Sequence, residues 1–439
     1  MRRPPVEPVR PDERARRLAE QGVHLVQLVY ADVLGVQKGL TLPVGQAAAA
    51  WDGGVRVDGA SLEGFMRVEE REMRLRAGGD QVFILPWEPA GGRVAVVPAG
   101  IFTREGRPFD GCPRERLAAA VRRLEGLGVA VELAFEMEFY LLRRRRGRPE
   151  VRVPDRAGYM DLSVRDAGEP VRQEIALALE SMGIVVESVH HAVAPAQHEI
   201  DLGWQPPLAA ADHLMIAKRA VYAVAERHGM HATLLPKPRT GSHGSGLHVR
   251  MRVRPLPGSS WSRAAATRHW LAGLLHHARP LCAVTNPLVN SYKRLVPGFE
   301  APVYVVWGRE THAPLARLVA GWDAGELEWR APDPCCHPHL ALAALLRAGA
   351  DGLERRLEPP PPLEENVFEM DPAEIAARGL EPLPGSLGEA LDDMRVSGLL
   401  REALGEYLFT RYLEAKRMEW DIYRVQVHQW ELDQYLPVF

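Results

Sequence analysis

Ala134-Phe135-Glu136-Met137-Glu138-Phe139-Tyr140 alternates with the period of a β-strand. Phe135, Met137 and Phe139 then share one face and Glu136 and Glu138 the other. Two neighbouring carboxylates on an otherwise apolar strand repel each other and lose hydration unless a cation sits between them. An isolated E-x-E also fits a solvated edge strand, so the rest of the chain has to decide between the two readings.

The chain has 439 residues, 46% of them hydrophobic and 25% charged, which indicates a soluble globular protein of two or more domains. A formal net charge of −3 gives no overall drive toward nucleic acid or an anionic membrane. No apolar run reaches bilayer length, and the Arg- and Pro-rich stretch from Met1 to Arg17 lacks the apolar region of a secretory signal. Cys112, Cys282, Cys335 and Cys336 form neither a C-x-x-C pair nor a disulfide framework, which fits a reducing cytoplasm, and the vicinal pair reads as packing.

Upstream of the Glu136/Glu138 strand, the pattern predicts a helix over 11–21 and strands over 23–30, 33–41, 82–85 and 93–97. These make a small, mostly β first domain. A polar, Gly-punctuated loop, Val57-Asp58-Gly59-Ala60-Ser61-Leu62-Glu63-Gly64-Phe65, lies between its strands. Gly111-Cys112-Pro113 marks a boundary, so domains are expected at 18–106 and 111–439. Downstream, helices are predicted over 113–125, 170–182, 207–228, 262–279 and 339–356, with strands over 184–190, 197–202, 230–235 and 326–330. The basic run Arg143–Arg148 reads as a hairpin loop. On the strand at 197–202, Gln197, Glu199 and Asp201 share a face, and on the strand at 326–330 so do Glu326, Glu328 and Arg330. The Gly/Ser loop 237–248 ends on His248. Asn286–Pro302, bracketed by Pro and Gly, reads as an active-site flap, and Ser386-x-x-Glu389 as a capping box.

The polar residues on strands or strand starts are Glu136, Glu138, Glu199, Glu328 and His248. So many carboxylates and so little sulfur suit Mg²⁺ or Mn²⁺ better than zinc. Arg294, Arg317 and Arg330 add forks for carboxylate or phosphate. A divalent metal with arginines is the composition of a phosphoryl-transfer site, although no Walker A motif and no helix-opening G-x-G-x-x-G is present.

At these residues the chain resembles the glutamine synthetases of the bacterial type I class, in their Bacillus-like subgroup. The resemblance runs through Val57–Phe65, Ala134–Tyr140, His190–Asp201, Gly244–His248, Asn286–Pro302 and Glu419–Gln434, nearly the whole length. It implies an α+β fold, with a small N-terminal β-grasp domain and a large catalytic domain whose curved antiparallel sheet is flanked by helices. It also implies a dodecamer of two hexameric rings with sites formed between neighbours. The activity implied is an ATP-dependent ligase that activates the γ-carboxylate of glutamate, or a similar acid, as an acyl phosphate and passes it to ammonia or a small amine. Carried over by position, Glu138 and Glu199 match ligands of a first metal, and Glu136, His248 and Glu328 those of a second. Arg294 and Arg330 match clamps on glutamate, Gly244 a backbone contact to its amino group, and Arg317 a phosphate-binding arginine. Glu300 matches the flap carboxylate that shields the acyl phosphate. Asp58 and Ser61 match an ammonium site lent by the adjoining subunit.

Departures from the pattern accompany these matches. His190-His191-Ala192-Val193 stands where the family has H-H-E-V, with its third carboxylate for the first metal. His243 replaces the Asn of N-G-S-G. His312 and Glu326 replace two arginines near the phosphates, and Arg250 and Arg252 replace small or polar residues. Glu326, same-faced with Glu328, is a candidate for the missing carboxylate; it also reverses a charge beside a triphosphate unless another cation compensates. Altered or lost glutamine synthesis is therefore expected. Two other readings stay open, a non-catalytic homologue that binds a metabolite or partner and a metal-dependent enzyme of another class. Phe368 stands where adenylylated relatives carry tyrosine, and Arg67 resembles a feedback arginine.

Overall fold

The computed structural model describes residues 10–59, 72–87, 91–145, 147–150, 155–309 and 314–439. Ser61, Arg67 and His312 lie outside the described residues. No described helix is long and apolar enough to cross a membrane.

The first sheet is built from Val23–Ala31 (β1), Gln37–Pro43 (β2), Val55–Asp58 (β3), Glu72–Ala77 (β4), Phe83–Ile84 (β5) and Arg93–Thr103 (β6). Its order is β2-β1-β6-β4-β3, with β5 also on β6 and with β1 and β6 parallel at the centre. β2 begins four residues later than the sequence pattern suggests. Asp32 accepts from the N–H groups of Leu34 and Val36 (both 3.0 Å), which folds 32–36 into a turn before pairing can start.

The second sheet holds the carboxylates. It comprises Val129–Arg145 (β7), Arg148–Glu150 (β8), Val186–His191 (β9), Gln197–Gln205 (β10), Met230–Thr233 (β11), Leu247–Pro255 (β12), Trp307–Gly308 (β13), Ala316–Leu318 (β14) and Glu326–Trp329 (β15). Its order is β13-β14-β15-β12-β7-β10-β9, with β8 and β11 also on β7. β7 is the long central strand, and its period of two is kept throughout. Val131, Leu133, Phe135, Met137, Phe139 and Leu141 all join the large core with helical residues such as Leu117, Ile175, Leu214 and Trp270. Each large side chain buried there stabilises the fold by roughly 1.5–3 kcal/mol. Glu132, Glu136 and Glu138 are on the opposite face. The arginine run is the hairpin it resembles, with Arg145 opposite Arg148.

Behind the sheet, helices 113–126, 169–181, 207–227, 263–276 and 338–355 cover the apolar face. Asp212 ties three segments together there, accepting from Arg114 Nη2 (2.9 Å) and facing His339 Nε2 at 3.0 Å, with its carboxylate buried. The predicted helix 262–279 is two helices, Arg263–His276 and Ala278–Thr285, broken at His277. Pro280 has no N–H to give the carbonyl of His276, so the ladder cannot pass through. The capping box forms in part: Ser386 Oγ accepts from the Glu389 N–H (3.2 Å), while the Glu389 carboxylate takes the N–H of Gly385 (3.0 Å). All four cysteines are free, and Cys335 Sγ donates to the Leu234 carbonyl.

Candidate active site

Strand register assembles the polar face. Glu199 on β10 sits opposite Glu138 on one side and His190 on the other. One step along, Asp201 is opposite Glu136 and Ser188, and His248 on β12 is opposite Glu136. Arg250 pairs in register with Glu328, and Glu328 with Arg317. Six strands thus contribute one continuous field of carboxylates, edged by arginines.

Two groups of potential ligands result. Glu136, His248 and Glu328 present ligand atoms within 4.8 Å of one another, and so do His190, Glu199 and Asp201. In the first group His248 Nδ1 lies 3.0 Å from Glu136 Oε2 and 3.2 Å from Glu328 Oε1. A proton on Nδ1, or a divalent cation in its place, would be shared by all three. Burial, then the Arg330 charge, brings the His248 ring down to about 3, so it is neutral and competent as a ligand. Glu328 also meets Arg317 Nη2 at 2.6 Å and Arg330 Nε at 3.3 Å.

The second group is short of positive charge. Burial, and then the carboxylates of Glu138 and Asp201, push Glu199 up to about 10, and burial pushes Glu138 up to about 7 even though it accepts the Gly246 N–H. A cation beside them would favour their ionised forms. Oxygen ligands with one imidazole in each group fit Mg²⁺ or Mn²⁺.

Arg294 is buried, and its guanidinium donates to the carbonyls of Ala331 (2.7 Å), Pro332 (3.2 Å) and Arg330 (3.0 Å). Gly244 and Gly246 make room for it: a Cβ at Gly244 would stand 2.8 Å from Arg294 Cγ, and one at Gly246 2.6 Å from Nη2. The Gly244 carbonyl accepts from Gln197 Nε2 (3.1 Å). The flap is shorter than the sequence suggests. Asn286, Ser291, Tyr292 and Arg294 are buried, anchored through contacts such as Asn286 Nδ2 to the Ala331 carbonyl (2.7 Å), and Pro297, Gly298 and Glu300 form the exposed tip. Glu300 takes a positive φ of 57° there. Phe299 packs under Lys237, whose Nζ is 3.6 Å from the ring centroid, and edge-on to His243. Asp58 lies apart, exposed at the end of edge strand β3 in the other sheet.

Glu326 does not replace the missing carboxylate. Arg250 Nη2 (2.8 Å) and Arg252 Nε (3.1 Å) hold it, and β12 and β7 separate its strand from β10 and β9, after which Ala192 follows. The same pair supplies the compensating cations, and both guanidinium groups lie over Trp204. The sequence pattern does not bring His190 and Asp201 to this face as a pair, nor Tyr159, whose ring meets His190 edge-on at 5.3 Å. The signal for Asp201 was its shared face with Glu199.

The fold and its polar face are shared with a class of ligases. Residues 22–104 match the family described as glutamine synthetase, beta-Grasp domain, and residues 110–435 match glutamine synthetase, catalytic domain. The chain is 43% identical to the glutamine synthetase of Thermus thermophilus over 97% of its own length and 99% of that protein. It is 40% identical to that of Thermotoga maritima, covering 96% and 98%. Among solved structures, a GmaS/ADP complex superimposes with a TM-score of 0.87 at 28% identity, covering 96% of this chain and 99% of that one. The glutamine synthetase of Plasmodium falciparum does so at 0.85 and 21% identity, covering 98% and 99%, a likeness of fold. This chain belongs to the glutamine synthetase family. The relatives carry that plain name and lend no support to the expectation that ordinary glutamine synthesis is lost.

Proposed function

We propose that this chain is an ATP-dependent ligase that activates the γ-carboxylate of glutamate, or a close analogue, and joins it to ammonia or a small amine. The observation that carries the reading is Glu328, which faces His248, Arg317 and Arg330 within about one ligand diameter, as a site that gathers phosphate oxygens and cations together would require. Divalent metals bound to the two ligand groups would neutralise the transferring phosphoryl oxygens. Glu136, His248 and Glu328 would hold one such ion, and Glu138 with Glu199 the other. Arg317 would bind phosphate as it leaves ATP. Arg294, fixed by its three carbonyls, and Arg330 would orient the acid, with the Gly244 backbone at its amino group. Glu300, on the exposed flap tip, would keep water from the acyl phosphate. Asp58 and Ser61, offered by a neighbouring subunit of a dodecamer, would take a proton from ammonium and expose the nucleophile. The division 18–106 and 111–439 would leave that contribution to the first domain, and the free cysteines would suit a cytoplasmic setting.

The test is phosphate release from ATP with Mg²⁺ or Mn²⁺ and glutamate, first with ammonium, the nucleophile that the relatives' name makes foremost, and then with small amines. Release that depends on one nucleophile supports the reading. Silence with every acid and amine, from folded and assembled protein, would overturn it in favour of a homologue without turnover.

A further inference from the structure

We propose that His190 and Asp201 complete the first divalent-cation position of this chain together with Glu199, in place of any side-chain ligand at 192. Ala192 is buried and its N–H is fixed on the Gln197 carbonyl (2.9 Å), so position 192 brings only a methyl group. Three observations on β9 and β10 show how the site is made up instead.

The first is the His190 ring. Its Nδ1 lies 3.1 Å from the His191 carbonyl, an atom that can only accept, so Nδ1 carries the proton. Its Nε2 faces Glu199 Oε1 at 3.8 Å. That separation is too long for a direct hydrogen bond and leaves room for a cation between the two atoms. An imidazole whose other nitrogen donates to a backbone carbonyl is also oriented as metal-binding histidines are. Tyr159, edge-on to the ring, fixes its plane.

The second is Asp201. Ser188 Oγ donates to Oδ2, while Oδ1 is buried without a hydrogen-bond partner. A buried carboxylate oxygen left without a donor on a polar face is a ligand atom awaiting a cation. The third is separation: the ligand atoms of His190, Glu199 and Asp201 lie within 4.8 Å of one another, close to the span of atoms on a single ion about 2.1 Å from each. Since one ligand is an imidazole nitrogen, the position should favour Mn²⁺ over Mg²⁺ more than an all-oxygen site would.

The inference rests on the ligase reading for its place in turnover, and on geometry alone for binding. The experiment therefore reads binding: Mn²⁺ titration of the full chain, followed by the EPR signal of the free ion, with assembly and circular dichroism checked for each variant. Wild type is expected to show two classes of site. Asp201→Asn should weaken one class at least tenfold and Glu328→Gln the other; His190→Gln should weaken the same class as Asp201→Asn. Adding Ala192→Glu to Asp201→Asn should restore binding. Unchanged titrations of both Asp201→Asn and His190→Gln, in folded protein, would overturn the inference. Binding through Asp201 without phosphate release from any substrate would sink the ligase reading and leave this one standing.

Discussion

Glu326 Oε1 lies 2.8 Å from Arg250 Nη2 across the β12–β15 pair, while Glu326 Oε2 takes Arg252 Nε at 3.1 Å. Arg250 also reaches Glu187 at 3.0 Å, so a single acidic side chain spaces two cations at one end of the polar face. Glu326 is mostly buried, and removing it leaves two guanidinium groups without the carboxylate that bridges them, Arg250 keeping Glu187 and, at 3.9 Å, Glu136. Glu326→Ala should lower stability by about 1–3 kcal/mol. Arg250→Ala with Glu326→Ala should cost less than the sum of the singles, by at least about 0.5 kcal/mol in a denaturant-based double-mutant cycle. The number of Mn²⁺ sites should not change in Glu326→Ala, and losing one would reinstate Glu326 as a ligand.

Glu328 offers the opposite case, a carboxylate held by three cationic or potentially cationic partners: His248, Arg317 and Arg330. Glu328→Ala removes a proposed ligand and also leaves the two arginines repelling any ion on Glu136 and His248. Phosphate release should fall at least about 100-fold, and the melting temperature should fall as well, as for Glu326, because two arginines lose a buried partner. A variant with near-normal turnover would show that the second ion does not depend on β15.

The register explains what could and could not be read from the chain. The two faces of β7 follow from residue types alone, because Phe135, Met137 and Phe139 alternate with Glu136 and Glu138. The break at His277 has a local cause, since Pro280 has no N–H for the His276 carbonyl, although the sequence pattern predicts one helix over 262–279. The fate of Glu326 was not legible. Its partners lie 74 and 76 residues away, and only the pairing of β12 with β15 sets Arg252 opposite it. His190 and Asp201 were hidden for the same reason: sharing a face with Glu199 is a local property, but meeting it depends on where β9 docks. The flap was overextended because a Pro/Gly-bracketed sequence does not reveal that Asn286 and Arg294 are tied to the carbonyl of Ala331.

Gly246 tests whether Arg294 must stay where the carbonyls hold it. An added Cβ would come within 2.6 Å of Arg294 Nη2 and 3.2 Å of His248 Nε2. The guanidinium has little freedom to retreat, being buried and bonded to three carbonyls. Gly246→Ala should therefore raise KM for glutamate about tenfold or more, with KM for ATP much less affected. Equal effects on both would mean that the loop, rather than Arg294, had moved.

A pH-dependent contribution to stability is built behind the site. His191 Nε2 faces Asp155 Oδ2 at 3.2 Å, and His191 Nδ1 faces the Ala192 carbonyl at 2.7 Å, so both nitrogens meet acceptors and the protonated ring is favoured. Burial opposes that charge, but the hydrogen bond and attraction to Asp155 outweigh it, and His191 is raised above its ordinary value. Asp155 is likewise lowered against its burial by His191 and by the N–H groups of Ala157 and Ala196. The histidine's share is complete below its unfolded value near ~6.5 and is lost as pH rises through the raised folded value; the aspartate's is complete above ~3.9 and is lost as pH falls through the depressed one. The stability gap between wild type and Asp155→Asn should thus be widest at about pH 5–6, narrowing on both sides. Thermal unfolding of the two proteins from pH 4 to 9, at about one-unit steps, measures it. A gap that stays constant across that range would mean that His191 is neutral in the fold and that its ring binds Asp155 by a simple hydrogen bond.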